Sequence, residues 1–326
     1  MHAIIPTAGF GTRLRPHTFA HPKVLLSVAG RPIIAHILDE LFASGVTSAT
    51  IVIGYLGEAI EQYVRARYPD RPITFVEQPQ LLGLGHSIWC AREEIPTDGK
   101  PLLIVLGDTI FDVDLKPVFA AGESAIGVYT VEDPRRFGVV ETEGRYVSRL
   151  VEKPEHPKTN LMIAGLYYFR EPQRLRKALD DLIASDRRTK NEYQLTDALQ
   201  AMVEAGEQFA TFALSGWFDC GKPETLLSTN RALLDKRSQS GSFPTAVIHE
   251  PVFIAEGAVI EDSVVGPYAS IGANAVLRQA IVRDSIIGDG AHVERVTLQE
   301  SLIGNAATVL GAFDTLNIGD CSELAL

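Results

Sequence analysis

Hydrophobic positions recur at two different periods along this chain, and the change falls near residue 240. Before it, short apolar runs alternate with segments whose apolar residues return every three or four positions. Ala3-Ile4-Ile5, Ala49 to Ile53, Ile73 to Val76 and Leu102 to Leu106 predict buried strands. Ile33, Ile34, Ile37, Leu38, Leu41 and Phe42 fall on one helical face, with Pro32 suited to the first turn and Gly45 to the stop. Glu58 to Arg67, Gly85 to Glu94, the stripe Leu195, Ala198, Leu199, Met202, Val203, and Pro223 to Leu234 predict further helices; Val139-Val140, Val147 to Val151 and Leu166 to Phe169 predict added strands. Strands alternating with helices predict an α/β architecture, a mainly parallel sheet with helices on both faces.

Ser238-Gln-Ser-Gly-Ser-Phe-Pro244 has no periodicity and reads as a linker. Beyond it Phe253, Val259, Val265, Ile271 and Leu277 stand six apart, and Asp262-Ser-Val-Val-Gly266, Asp284-Ser-Ile-Ile-Gly288 and Glu300-Ser-Leu-Ile-Gly304 are near copies. A six-residue apolar step followed by Gly predicts a parallel β-helix, one short strand per step and three steps per coil, with about four coils in the length available. Two domains are therefore expected, 1–238 and 239–326.

The 326 residues carry a net charge of −11, from 41 acidic against 30 basic side chains, so a nucleic-acid backbone would be repelled and no nucleic-acid partner is expected. Anionic small substrates remain possible where local cations or a metal receive them. Three scattered cysteines (Cys90, Cys220, Cys321) exclude a disulfide framework or a paired-cysteine zinc site and fit reduced thiols. The first residues lack the pattern of a signal peptide, and no apolar run is long enough to span a membrane, so a cytoplasmic protein is expected.

Candidate chemistry sits where strands end. Ala8-Gly9-Phe10-Gly11-Thr12-Arg13-Leu14-Arg15-Pro16 follows the first strand; it lacks the third Gly of a dinucleotide fingerprint and is not a P-loop. Two glycines still let backbone N–H groups approach phosphate oxygens, and Arg13, Arg15 and Lys23 add fixed positive charge to one connection. Asp108 closes the buried run from Leu102, at the edge where open α/β sheets bind ligands, and Asp219 sits between aromatics and a Gly in Gly216-Trp-Phe-Asp-Cys-Gly221. Two convergent carboxylates can hold Mg²⁺ and leave its other positions to water and phosphate. Asp112-Val-Asp114 is a second acidic pair, read as solvated. In Glu152-Lys153-Pro154 the lysine could meet a phosphate and the glutamate sugar hydroxyls; on its own the tripeptide reads as a surface ion pair before a proline turn.

Seven segments in order resemble the sugar-1-phosphate nucleotidylyltransferase family over Met1 to about Lys236: Gly9-Phe-Gly-Thr-Arg-Leu-Arg-Pro16, Pro22-Lys23, Gly107-Asp108, Phe137-Gly138-Val-Val140, Glu152-Lys153-Pro154, Glu192-Tyr-Gln-Leu-Thr-Asp197 and Trp217-Phe-Asp219. The layout is most similar to long-form glucose-1-phosphate thymidylyltransferases. The resemblance implies a Rossmann-like mixed sheet followed by a short left-handed parallel β-helix, and a homo-oligomer. It implies a nucleoside triphosphate and a sugar 1-phosphate as substrates. Ala8, Gly9, Gly11, Thr12 and Arg13 would bind the nucleotide, with Arg13 and Lys23 on the departing pyrophosphate. Asp108 and Asp219 would hold Mg²⁺, Asp108 also lying at the nucleotide. Lys153 would contact the sugar phosphate, and Glu152 and the Gly138 backbone the sugar. Gln78 and Gly83, in a segment running to His86, match the base-reading stretch of pyrimidine-specific members, since an amide can pair with the O and N3–H edge of uracil or thymine. Ala8 stands where thymidylyltransferases often carry Gly, and Ala8-Gly9-x-Gly11 and Gly83-Leu-Gly-His86 also resemble UTP–glucose-1-phosphate enzymes, so dTTP and UTP both stay open. Two other classes are a non-catalytic regulatory homologue, against which the retained Lys23, Asp108, Lys153 and Asp219 argue, and a bifunctional enzyme with an acyltransferase tail, for which His292 is the single histidine well inside the repeats.

Overall fold

The computed structural model describes residues 1–311 and 317–325, the last two by their backbone. Its helices are α1 (Ile33–Ala43), α2 (Gly57–Arg67), α3 (Leu84–Cys90), α4 (Lys116–Ala121), α5 (Gln173–Ala184), α6 (Leu195–Glu204) and α7 (Pro223–Lys236). Contacts gather the chain into two compact units: residues 1–9 with 37–217, and residues 10–36 with 218–326.

The first unit is built on a nine-stranded mixed sheet, in the order Ile73–Glu77, Ser48–Ile53, His2–Pro6, Leu102–Val105, Leu161–Phe169, Ala125–Thr130, Ala210–Ala213, Tyr146–Glu152, Gly138–Glu143. The first four run parallel, as apolar runs buried on both faces require. Leu161–Phe169 runs antiparallel between Leu102–Val105 and Ala125–Thr130, and a hairpin closes the far edge. One core joins Ile4, Val52, Ile104, Ile126 and Phe169 of the sheet to Ile88 of α3, Leu175 and Leu179 of α5, and Leu199 of α6. The chain leaves this sheet at Leu106, whose N–H donates to the Gly165 C=O (3.0 Å), and Gly107 donates to Pro6 (3.2 Å). Gly165 makes this possible from a left-handed φ of +85°, where a Cβ would lie 2.8 Å from the Leu106 side chain. Asp108 is thereby set just past the carboxyl end of a buried parallel strand.

In the second unit, the three faces of a parallel β-helix are formed by sheets of four, five and five short strands. Pairing carries Val247 to Val264, then to Ile281, then to Thr297, so a coil takes seventeen or sixteen residues, not three full sixes. The expected apolar steps are right from Val265 through Ile271 to Leu277, all buried. Before them the register is off by one: Ile254 and Ile260 point inward while Val259 is 38% exposed, and after them steps of five and six mix through Val282, Ile287, Val293, Leu298, Ile303 and Val309. Both kinds of step turn at a corner residue in the left-handed region, Asp284 (φ +50°) and Arg295 (φ +53°) in five-residue steps and Asn274 (φ +55°) and Ala306 (φ +53°) in six-residue ones. The copies beginning at Asp284 and Glu300 stack on one face, Ile286 on Leu302, whereas Val264-Val265 of the first copy belongs to another face.

Residues 10–36 pack into this same unit. Phe253, expected as an inward step, is turned to the loop, and its ring occupies the space of a side chain at Gly30, where a Cβ would stand 2.3 Å from ring carbons. Asn230 of α7, with no exposed surface, accepts from the Ala29 N–H (2.8 Å) and the Ser270 hydroxyl (2.6 Å) and donates to the Tyr268 C=O (3.1 Å). At the far coil His17 bonds Asn317, and His21 Nε2 lies 2.8 Å from Asp320, which holds the imidazole above its usual range.

Candidate active site

In the first unit, Gly9 is exposed with open space where its Cβ would be, so backbone there is free to approach a ligand, and the preceding Ala8 is buried against Gly54. Asp108 is half-buried, and the Thr109 hydroxyl lies 3.5 Å from its Oδ1.

Gln78 follows the edge strand Ile73–Glu77, and its backbone N–H donates to Ile53 (2.8 Å). Its side chain is buried, and its amide nitrogen donates to the Gly83 C=O (3.3 Å) and meets His86 Nδ1 (3.1 Å), so Gln78, Gly83 and His86 come together. Residues Glu192 to Gln194 brace this turn. Gly85 donates to the Tyr193 C=O (2.7 Å) and Tyr193 donates to Leu82 (2.8 Å), while a Cβ at Gly83 (φ +111°) would stand 2.6 Å from the Tyr193 oxygen. Only glycine fits both the angle and the approach. The Tyr193 and Trp89 rings flank the His86 imidazole, and burial holds His86 below its usual range.

Glu152 and Lys153 end the strand Tyr146–Glu152. The ammonium lies 3.1 Å from Glu152 Oε1, and the Thr196 hydroxyl donates to Oε2 at 2.7 Å. Gly138 stands opposite Glu152 in the hairpin, and a Cβ there would be 3.2 Å from Glu152 Oε2 and 3.2 Å from Thr196 Oγ1. Lys153 itself sits at φ +43°, a left-handed conformation costing about 1 kcal/mol or more, held by its N–H on the Phe137 C=O (3.1 Å). Gly138, Glu152 and Lys153 are thus one cluster. Thr196 belongs to it although no role was read from sequence; the order of the motif Glu192 to Asp197 was the only signal for it.

In the second unit, Gly11 takes a left-handed φ of +61°, and Thr12–Leu14 and Lys23–Leu25 are single 3₁₀ turns. A Cβ at Gly11 would lie 3.0 Å from Lys23 Cβ, so the loop doubles back and puts Lys23 beside Gly11. The Thr18 hydroxyl ties it with a bond to the Gly11 C=O (2.9 Å). Arg13 and Thr12 are exposed. Asp219 Oδ1 accepts from the Gly221 N–H (2.9 Å); a Cβ at Gly221 would be 2.8 Å from that oxygen and 2.9 Å from Arg13 Nη2. Gly221, noted in the sequence only as the glycine flanking Asp219, therefore lets the guanidinium come up to this carboxylate. Asp114 of the second acidic pair receives the Lys116 N–H (3.0 Å) in a turn, and His292 faces Glu294 (3.2 Å) within the coils. Among the described residues no group of three or more His, Cys, Asp or Glu is placed to hold a metal, and no helix is long and apolar enough to cross a membrane.

Several known proteins are similar to this chain. The low-salt glycan biosynthesis nucleotidyltransferase Agl11 of Haloferax volcanii is 31% identical, with all of both chains covered. A glucose-1-phosphate thymidylyltransferase of Streptomyces griseus is 29% identical over 96% of this chain and 94% of its own. A UDP-glucose pyrophosphorylase solved with UDP-glucose superposes with a TM-score of 0.64 at 25% identity, covering 72% of this chain and 99% of its own. The glycine loop, the Gln78 turn, the Glu152–Lys153 corner and Asp219 all lie within residues 2–236, which match the nucleotidyl transferase family, and the chain belongs to that family.

Proposed function

We propose that this chain is a sugar-1-phosphate nucleotidylyltransferase that moves a nucleotidyl group from a pyrimidine nucleoside triphosphate, dTTP first, to glucose 1-phosphate, releasing pyrophosphate and forming a nucleotide sugar. The observation that carries this reading is the corner at Glu152 and Lys153. A carboxylate steadied by Thr196 suits sugar hydroxyls, an ammonium 3.1 Å away suits the phosphate of the same molecule, and Gly138 leaves room beside them. A phosphate monoester is already an anionic nucleophile, so its oxygen attacks the α-phosphorus in line with no general base. The task left to the protein is to align and neutralise two polyanions. Arg13 and Lys23 take the departing pyrophosphate, Gly9, Gly11 and Thr12 the triphosphate, and Lys153 the incoming phosphate. Asp108 and Asp219 are the proposed Mg²⁺ ligands. Their oxygen donors suit a hard cation, and the Gly221 N–H on Asp219 Oδ1 fixes the orientation of that carboxylate. Bound Mg²⁺ supplies charge neutralisation on the phosphates.

The UTP–glucose-1-phosphate reading stays as the second, favoured by the likeness to the UDP-glucose pyrophosphorylase. A matrix of nucleoside triphosphates against sugar 1-phosphates, read by pyrophosphate release with Mg²⁺, decides. The expected result is turnover of dTTP and UTP with glucose 1-phosphate, and ATP and GTP at least about tenfold poorer. Pyrophosphate release from no pair would overturn the transfer reading, and ATP or GTP on top would overturn the role of Gln78. Asp108→Asn and Asp219→Asn should each lose most turnover while remaining folded.

A further inference from the structure

A glutamine that reads a base has an ambiguity built into it, because its amide can present either an N–H donor or an oxygen acceptor. In this chain the ambiguity is removed by two neighbours. The Gly83 C=O, 3.3 Å away, can only accept, so the end of the Gln78 amide facing it is nitrogen. His86 Nδ1, 3.1 Å from the same nitrogen, accepts the second N–H when the imidazole is neutral and carries its proton on Nε2. The amide oxygen is then the opposite end and has no hydrogen-bond partner among the described residues.

An outward oxygen has a definite preference. Uracil and thymine present N3–H, a donor, at the middle of their pairing edge; cytosine presents a bare N3, an acceptor. The first pairs with the oxygen, and the second sets two lone pairs against each other. We propose that His86 is a positioning residue that fixes the Gln78 amide with its oxygen outward, and so makes the site select uracil and thymine nucleotides against cytosine nucleotides. The inference rests on Gln78 reading the base.

The surroundings keep His86 in the accepting form. Its ring is flanked by Trp89 and Tyr193, and the Cys90 sulfur lies 3.8 Å from Nε2 and 3.9 Å from Nδ1. Burial pushes the Cys90 thiol up, so it adds no negative charge; burial holds the imidazole down, a hydrogen bond to the Gln80 backbone works against it, and the Arg188 guanidinium adds to the lowering. Arg188 is turned to the Tyr193 hydroxyl and Asp186, so Asp186 is compensated where it stands. Protonated His86 would make Nδ1 a donor that calls for the amide oxygen, against the Gly83 C=O that calls for its nitrogen, so the amide would lose its fixed orientation and could offer N–H to the base.

The test compares kcat/KM for UTP and CTP, with glucose 1-phosphate as acceptor, and in parallel the calorimetric affinity for the two nucleotides without acceptor. The unmodified protein should prefer UTP by about 100-fold. His86→Phe keeps the ring stack and removes the acceptor; it should shrink that ratio about tenfold, mostly through better use of CTP. His86→Asn, with a side-chain oxygen near the place of Nδ1, should restore the ratio to within about threefold. In the unmodified protein the ratio should persist as pH falls through the ordinary imidazole range and collapse only below it, a readout that needs no variant. A folded His86→Phe protein with the full UTP preference, or a ratio flat to the acid limit of stability, overturns the role of His86 and leaves Gln78 as the reader. An unmodified protein that does not separate UTP from CTP in either assay overturns the base reading itself and the inference with it.

Discussion

Single atoms decide much of this site. At Gly221 the space of one methyl group is taken by Asp219 Oδ1 and Arg13 Nη2, at 2.8 and 2.9 Å from where a Cβ would be. Gly221→Ala should therefore part the guanidinium from the carboxylate, lowering kcat/KM for the nucleotide about tenfold, or ~1.4 kcal/mol, with little change in melting temperature. Steady-state kinetics beside a thermal melt check this; unchanged kinetics would mean that the two groups do not act together. Most of the proposed ligand-contacting residues were visible in sequence as charged or glycine residues at or just beyond a strand end, whereas Thr12 and Gln78 were visible only through the motifs that contain them. Their supports were not. Thr196 reaches Glu152 across 44 residues, and Tyr193 braces Gly83 through main-chain atoms, which any side chain at 193 would supply.

Among the elements, two patterns were informative: continuous apolar runs for strands buried on both faces, and three-to-four-residue periodicity for helices with a buried stripe. The strands through Leu102 and the helices α1, α2 and α6 lie within a residue or two of their expected ends. Helix α5 went unread although Leu175, Leu179 and Leu182 mark its buried stripe, because the polar residues between them (Arg174, Arg176, Lys177, Asp180, Asp181) mask a narrow seam. The β-helix was read with the right architecture and a slipped register, since Phe253-Ile254 and Val259-Ile260 each offer two adjacent apolar residues and sequence cannot say which turns in. That slip is testable. Ile287→Asp should cost about 4 kcal/mol or more by burying an unpaired charge, while Val259→Asp, on an outward position, should stay within roughly 0.5 kcal/mol. Urea denaturation of both variants distinguishes them, and equal losses would restore the six-step register.

For the molecule as a whole, the informative contacts are those between distant stretches of one unit, which no local pattern announces. Asn230 joins Ala29 to Tyr268 and Ser270. Asn230→Ala should lose about 2–4 kcal/mol, leaving a buried N–H and C=O unpaired beside a small cavity; a loss under ~0.5 kcal/mol would show that the contact is replaced by water. The His21–Asp320 pair gives a pH signature. Asp320 raises the imidazole, so the pair's contribution is complete below the ordinary histidine range and is lost as pH rises through the elevated value. The difference in stability between the unmodified protein and Asp320→Asn should accordingly shrink toward alkaline pH, as melting curves taken at a series of pH values would record. A gap that widens with pH would reverse the assignment.

The ring of Phe253 lodged at Gly30 has a consequence in time. Synthesis delivers residues 10–36 early, but the ring that fills the Gly30 hollow comes more than two hundred residues later, and the Asp320 partner of His21 later still. At about 5–20 residues per second the nascent chain spends roughly 10–40 s with its glycine-rich loop made and its packing partners not yet made. Through that interval Leu14, Val24 and Val28, all buried in the finished unit, have no finished unit to enter. The segment proposed to hold the triphosphate is thus among the first to be synthesised and among the last able to set, and a nascent-chain protease assay on residues 10–36 should find it cleavable until the coils that cover it have emerged.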